Sequence, residues 1–209
     1  MKYSSLINQA LTAVADGCDQ NECDREQLAY LAATSKPEMP FRDRLAYELY
    51  RLLKDDHFVA REWYWQGNGQ RADIAILHKS TQSPNAIIEL KAWSLFAIEK
   101  HRKDMESQLK AAIKSWADGK GKHPELYWLL VSTRLESSPG DHLAGILKYN
   151  DGWRAAFSRY KDSQTMLSAA ADTLGLQEES WTIKGKKIPG ANVLGLDVSL
   201  QIWLLEYGY

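Results

Sequence analysis

Apolar residues recur every three to four positions at the start of the chain. Leu6, Ile7, Ala10, Leu11 and Val14 fall on one side of a predicted helix, and Leu28 and Leu31 mark a second that Asp24 could cap. "SKPEMP" brings two prolines and predicts a break. "FRDRLAYELYRLLKDD" then carries Leu45, Leu49, Leu52 and Leu53 as one helical stripe. The period changes at "HFVAREWYWQ", whose aromatic and β-branched residues predict a strand. "GNG" is a turn signal, and "RADIAIL" and "AIIELKAW" read as two further strands. A long helix is predicted over "AIEKHRKDMESQLKAAIKSWADG", with Met105, Leu109, Ala112, Ile113 and Trp116 on one face. The unbroken apolar run "ELYWLLVSTRL" reads as a central strand. Beyond Pro139 the pattern predicts helical pieces over 141–174, a loop or edge hairpin at "WTIKGKKIPGAN", and a closing strand in "LGLDVSLQIWLLEY". The expectation is an α/β (α+β) domain with a mixed central sheet, an antiparallel meander flanked by helices. Residues 1–36 form an N-terminal helical extension, 37–135 the core, and 136–209 a C-terminal helical region with a closing strand.

Three charges interrupt this pattern. Asp73 sits inside one apolar strand, and Glu89 and Lys91 inside the next, where each desolvated charge would cost several kcal/mol as an order of magnitude. Strand side chains alternate, so Glu89 and Lys91 share a face. In an antiparallel hairpin Asp73 stands opposite Glu89 or Lys91, and either register gathers two carboxylates and an amine on one patch. Paired carboxylates repel, and a divalent cation relieves the conflict. Mg²⁺ prefers oxygen ligands and is held by one or two carboxylates with waters and phosphate oxygens. A neighbouring lysine suits the orientation or deprotonation of water, or stabilisation of growing negative charge. The set fits metal-assisted phosphodiester hydrolysis. The alternative is a cross-strand salt bridge on a solvated face, and a large loss of metal-free stability on removing the carboxylates would favour it. Under the metal reading, those removals are expected to be neutral or stabilising without metal.

Asp73, followed after a hairpin by Glu89-Leu90-Lys91, resembles the signature of the PD-(D/E)XK nuclease superfamily, the restriction-endonuclease-like fold. The order helix, β-meander, helix, strand is also similar to that superfamily's core, over roughly residues 41–133. Ala72 stands where the motif's proline would be. The resemblance implies Mg²⁺, with Mn²⁺ as substitute, on Asp73, Glu89 and the backbone carbonyl of Leu90, and Lys91 beside the attacking water. It further implies a glutamate on the preceding helix, matched by Glu48, and a glutamine on the following one, matched by Gln108. At about 100° per residue both border their helices' apolar stripes. Arg44 and Arg51 offer Glu48 an ordinary helical ion pair instead.

The implied activity is a metal-dependent deoxyribonuclease, most simply an endonuclease of restriction, repair, defence or mobile-element type. The alternative is a non-autonomous DNA-binding or assembly subunit. Composition adds limits. The 209 residues carry 26 basic and 27 acidic side chains, net −1, so a DNA partner must meet a local basic patch. The candidates are Lys100, Arg102 and Lys103 after the motif strand, and Lys184, Lys186 and Lys187 near the end. Trp63 to Trp65 could stack on bases, though core or edge packing is the simpler reading. Cys18 and Cys23 cannot make a four-ligand zinc site and read as free thiols in a reducing compartment. No signal peptide or membrane-length stretch is seen, so a cytoplasmic location is expected. The oligomeric state is open; a homodimer or a partner subunit would suit cutting of both strands.

Overall fold

The computed structural model describes residues 3–53, 56–65, 70–100, 107, 111, 114, 124–175 and 181–207. The chain opens with helices α1 (Tyr3–Gln20), α2 (Glu22–Thr34) and α3 (Glu38–Leu52). Strands β1 (His57–Trp65), β2 (Gln70–His78) and β3 (Pro84–Ser94) follow. Then come the short α4 (Ala97–Lys100), β4 (Glu125–Leu135), a 3₁₀ turn at Asp141–Leu143, α5 (Asn150–Arg159), α6 (Ser163–Gly175), β5 (Trp181–Val193) and β6 (Leu196–Tyr207).

Two helix starts differ from the sequence reading. Asn21, not Asp24, caps α2: its side chain accepts from the Asp24 N–H. α3 begins at Glu38, inside the segment read as a break, because Pro40 lies in the first turn, where a missing N–H costs nothing.

The described strands form one mixed sheet, ordered β1-β2-β3-β4-β6-β5. β3 and β4 run parallel, and every other neighbouring pair is antiparallel. β4 lies inside the sheet and is buried along nearly its whole length, as its apolar run requires. Ile74, Ile76, Ile88 and Leu90 face the main core with Phe41, Leu45 and Leu49 of α3 and the apolar stripe of α1. A smaller cluster of Ala72, Ala75, Leu77, Ile87 and Leu126 packs against Ala60 and Trp63. Trp63 is thus a packing residue, while Tyr64 beside it is exposed.

β5 and β6 form the edge hairpin. Leu194 and Gly195 both take positive φ (55° and 74°), which suits a two-residue turn. A bulge at Pro189–Gly190 shifts the register between Ile188 and Ala191. Only glycine fits there, since a Cβ on Gly190 would lie 1.5 Å from the Val198 carbonyl oxygen. Cys18 is buried and Cys23 exposed, both as free thiols. Among the described residues no helix is long and apolar enough to cross a membrane.

Candidate acidic site at the fork of β2 and β3

Ile74 pairs with Ile88, Ala75 with Ile87 and Ile76 with Ala86. Continued one step, this register sets Asp73 opposite Glu89. The recorded pairing ends at Ile74, and a side chain takes over: Asp73 Oδ2 accepts from the Leu90 N–H at 2.7 Å. Two residues on, the Ala92 N–H donates to Glu38 Oε2 at 3.3 Å. In an extended strand alternate N–H groups leave on the same side. Two carboxylates therefore satisfy, in order, the β3 donors that face the fork. A residue's N–H and C=O also leave together, so the Leu90 carbonyl faces the same gap. The Asp73 bond changes one expectation. With Leu90 buried, removing that carboxylate orphans a main-chain donor, so alanine there cannot be neutral in the metal-free protein.

Glu89 and Lys91 are half-buried neighbours on one face of β3, beside Trp128 and Leu130 of β4. By alternation this face also carries Ile87 and, across the hairpin, Ala75. The sheet thus gathers Asp73, Glu89 and Lys91 at one end of an apolar platform.

Glu38 was not among the residues singled out from sequence. Burial and the Asp73 charge hold its carboxyl above the usual glutamate range. The Ala92 bond, Lys91 and Lys36 oppose this without cancelling it. Its position is fixed through α3. The buried Arg42 guanidinium, one turn on, pairs with Asp43 at 2.9 Å and with Glu62 of β1 at 2.8 Å, and Arg71 also contacts Glu62. Glu62 itself takes a left-handed backbone, φ 51°, where β1 is irregular. The sequence signal for Glu38 was an acid in the first turn of a helix that starts among prolines.

Glu48 sits about 15 Å farther along α3 than Glu38, from ten residues at 1.5 Å each. It pairs with Arg51 at 3.1 Å, the ordinary i,i+3 alternative. Gln108, Arg102 and Lys103 lie outside the described residues, and Lys100 is the last residue of α4. Lys184, Lys186 and Lys187 are on β5, three strands from β3, or about 14 Å across the sheet. Lys186 donates to Thr12 Oγ1 at 2.6 Å and Lys187 stands 3.7 Å from Glu136, so these lysines guard a sheet edge.

The donors at the fork are oxygens, and their mutual repulsion is the kind a hard divalent ion relieves. Among the described residues no three of His, Cys, Asp and Glu converge closely enough to enclose a metal. The protein's share would be Asp73, Glu89 and the Leu90 carbonyl, the rest coming from water or substrate. No family model matches the chain, and neither a curated protein nor a solved structure was found to match it.

Proposed function

We propose that this protein is a metal-dependent nuclease hydrolysing phosphodiester bonds, with DNA as substrate, in keeping with the resemblance of Asp73 and Glu89-Leu90-Lys91 to the PD-(D/E)XK signature. One observation carries the reading: the Asp73 carboxylate is bonded to the β3 main chain between Glu89 and Lys91, where the two strands part. That bond orients Asp73 toward the gap, with Glu89 and Lys91 on either side of Leu90. Asp73, Glu89 and the Leu90 carbonyl would hold Mg²⁺ or Mn²⁺. When bound, the ion would supply charge neutralisation and water acidification. Lys91 positions the attacking water or stabilises charge on the phosphate oxygens. Glu38, whose carboxyl keeps its proton more tightly than usual, is placed to exchange a proton with water beside Lys91.

The test is incubation of the purified protein with plasmid, single-stranded DNA and RNA in Mg²⁺, Mn²⁺ or EDTA. Cleavage should need the ion and disappear in folded Glu89→Ala and Lys91→Ala; variants that cut like the wild type refute these roles. A second reading, a DNA-binding or assembly subunit needing a partner, is favoured by the near-neutral charge and by the distance of the β5 lysines from the fork. Binding without cleavage under every ion would select it.

A further inference from the structure

A cleft of about 720 Å³ opens beside the acidic fork, within the range of about 300–1,000 Å³ usual for ligand sites. Lys91 and Lys36 line it, and both lie close enough to Glu38 to act on its charge. Three aromatic side chains, Trp93, Phe96 and Tyr149, contribute to the wall. The far side is the first turn of α5: Asn150, Asp151 and Gly152 all line the cleft. That helix has no side-chain cap, so its leading N–H groups and the positive end of its dipole favour an anion, against the opposing charge of the exposed Asp151 in the same turn.

Asn150, 6% exposed, ties the helix start to the preceding loop by donating its Nδ2 to the Gly140 carbonyl at 3.3 Å. Tyr149 is held at φ 61°, a left-handed backbone that a bulky residue seldom adopts, with its ring half-exposed at the rim. Gly152 lets the Phe96 ring lie against the helix start, since a Cβ there would meet Phe96 Cζ at 2.6 Å.

We infer that this cleft receives one unpaired nucleotide beside the scissile phosphate, and that the substrate class is single-stranded or end-frayed nucleic acid. This rests on the phosphodiester reading above and deepens it. The aromatic wall stacks the base, and the lysines with the α5 N-terminus hold the adjoining phosphates. A base kept in a duplex stack cannot enter such a cleft without being extruded.

The test is fluorescence anisotropy in EDTA, so that no cleavage is needed, with a labelled oligothymidylate of about a dozen nucleotides and a hairpin duplex whose end is clamped by G·C pairs and whose loop is a non-nucleotide linker. The strand should bind at least about tenfold more tightly than the hairpin. Ala144→Trp fills the cleft from an exposed rim position, and Tyr149→Gly removes the ring while suiting the left-handed backbone. Each should weaken strand binding by about 5- to 150-fold, the worth of one stacked base, and leave hairpin binding alone. Asp73→Asn should bind the strand at least as well as the wild type. Equal affinity for strand and hairpin, or cleft variants that bind normally, overturns the inference. The expected binding pattern without cleavage under any ion supports the cleft and counts against the hydrolytic reading.

Discussion

Replacing Asp73 separates two jobs that one carboxylate performs. Its Oδ2 accepts from the Leu90 N–H at 2.7 Å, and Leu90 is 3% exposed, so no water stands ready to replace it. Asp73→Ala leaves that donor orphaned, at about 1–3 kcal/mol. The same change removes the charge that repels Glu38, which works in the opposite direction. The net loss should be about 1–2 kcal/mol. At roughly 2–4 °C per kcal/mol for a chain of this size, Tm falls by about 2–8 °C. Asp73→Asn keeps an acceptor for Leu90 and loses only the charge, so in EDTA it should melt at or above the wild type. The assay is thermal unfolding of the three proteins at pH 7, in EDTA and then in Mg²⁺. Added Mg²⁺ should raise Tm for the wild type alone, because an ion that binds only the folded state stabilises it by mass action. If the alanine and asparagine variants melt together in EDTA, the strand-fork role assigned to Asp73 is wrong.

Glu38→Gln keeps an oxygen for the Ala92 N–H but cannot ionise. The raised carboxyl means that the folded protein holds the proton more tightly than the unfolded chain. Wild-type stability should therefore fall relative to Glu38→Gln as pH rises above 4.5, the ordinary value, through the raised one. Urea melts across pH 4 to 8 measure it, and parallel profiles for the two proteins would refute the burial argument. Glu48→Ala should leave cleavage unchanged in the plasmid assay and cost no more than about 0.5 kcal/mol, the worth of its helical ion pair with Arg51. Gly190→Ala forces a Cβ onto the Val198 carbonyl and should cost about 1–3 kcal/mol or more. Gly17→Ala, in the last turn of α1 with open space around it, should gain at most about 0.5–1 kcal/mol. Denaturant midpoints of the two variants moving in the same direction would contradict this.

Much of the architecture was legible because periodicity and burial agree. β4 coincides with "ELYWLLVSTRL", and the alternation in "AIIELKAW" correctly put Glu89 and Lys91 on one face. The Leu90 bond was not legible, since it depends on where two strands separate, and no side-chain pattern records that. Glu38 was hidden for a local reason: prolines on both sides of it read as a break, although the first helical turn has no use for those N–H groups. Glu48 was attractive on a helical wheel, but a wheel collapses the axis and does not record the 15 Å or so of helix between it and Glu38, or its pairing with Arg51. The lysines of β5 form a cluster in one dimension, and only the strand order shows that they lie on an edge strand, three strands from β3.

The N-terminal helices also constrain how the molecule is made. α1 and α2 pack on β5 and β6, and the Lys186 contact to Thr12 spans 174 residues of sequence. At about 5–20 residues per second, a ribosome takes roughly 9–35 s to deliver the second partner after the first. During that interval Ile7, Leu11 and Leu28 lack the strands that later shield them. Exposure of those apolar side chains until β5 and β6 emerge follows from this order of synthesis.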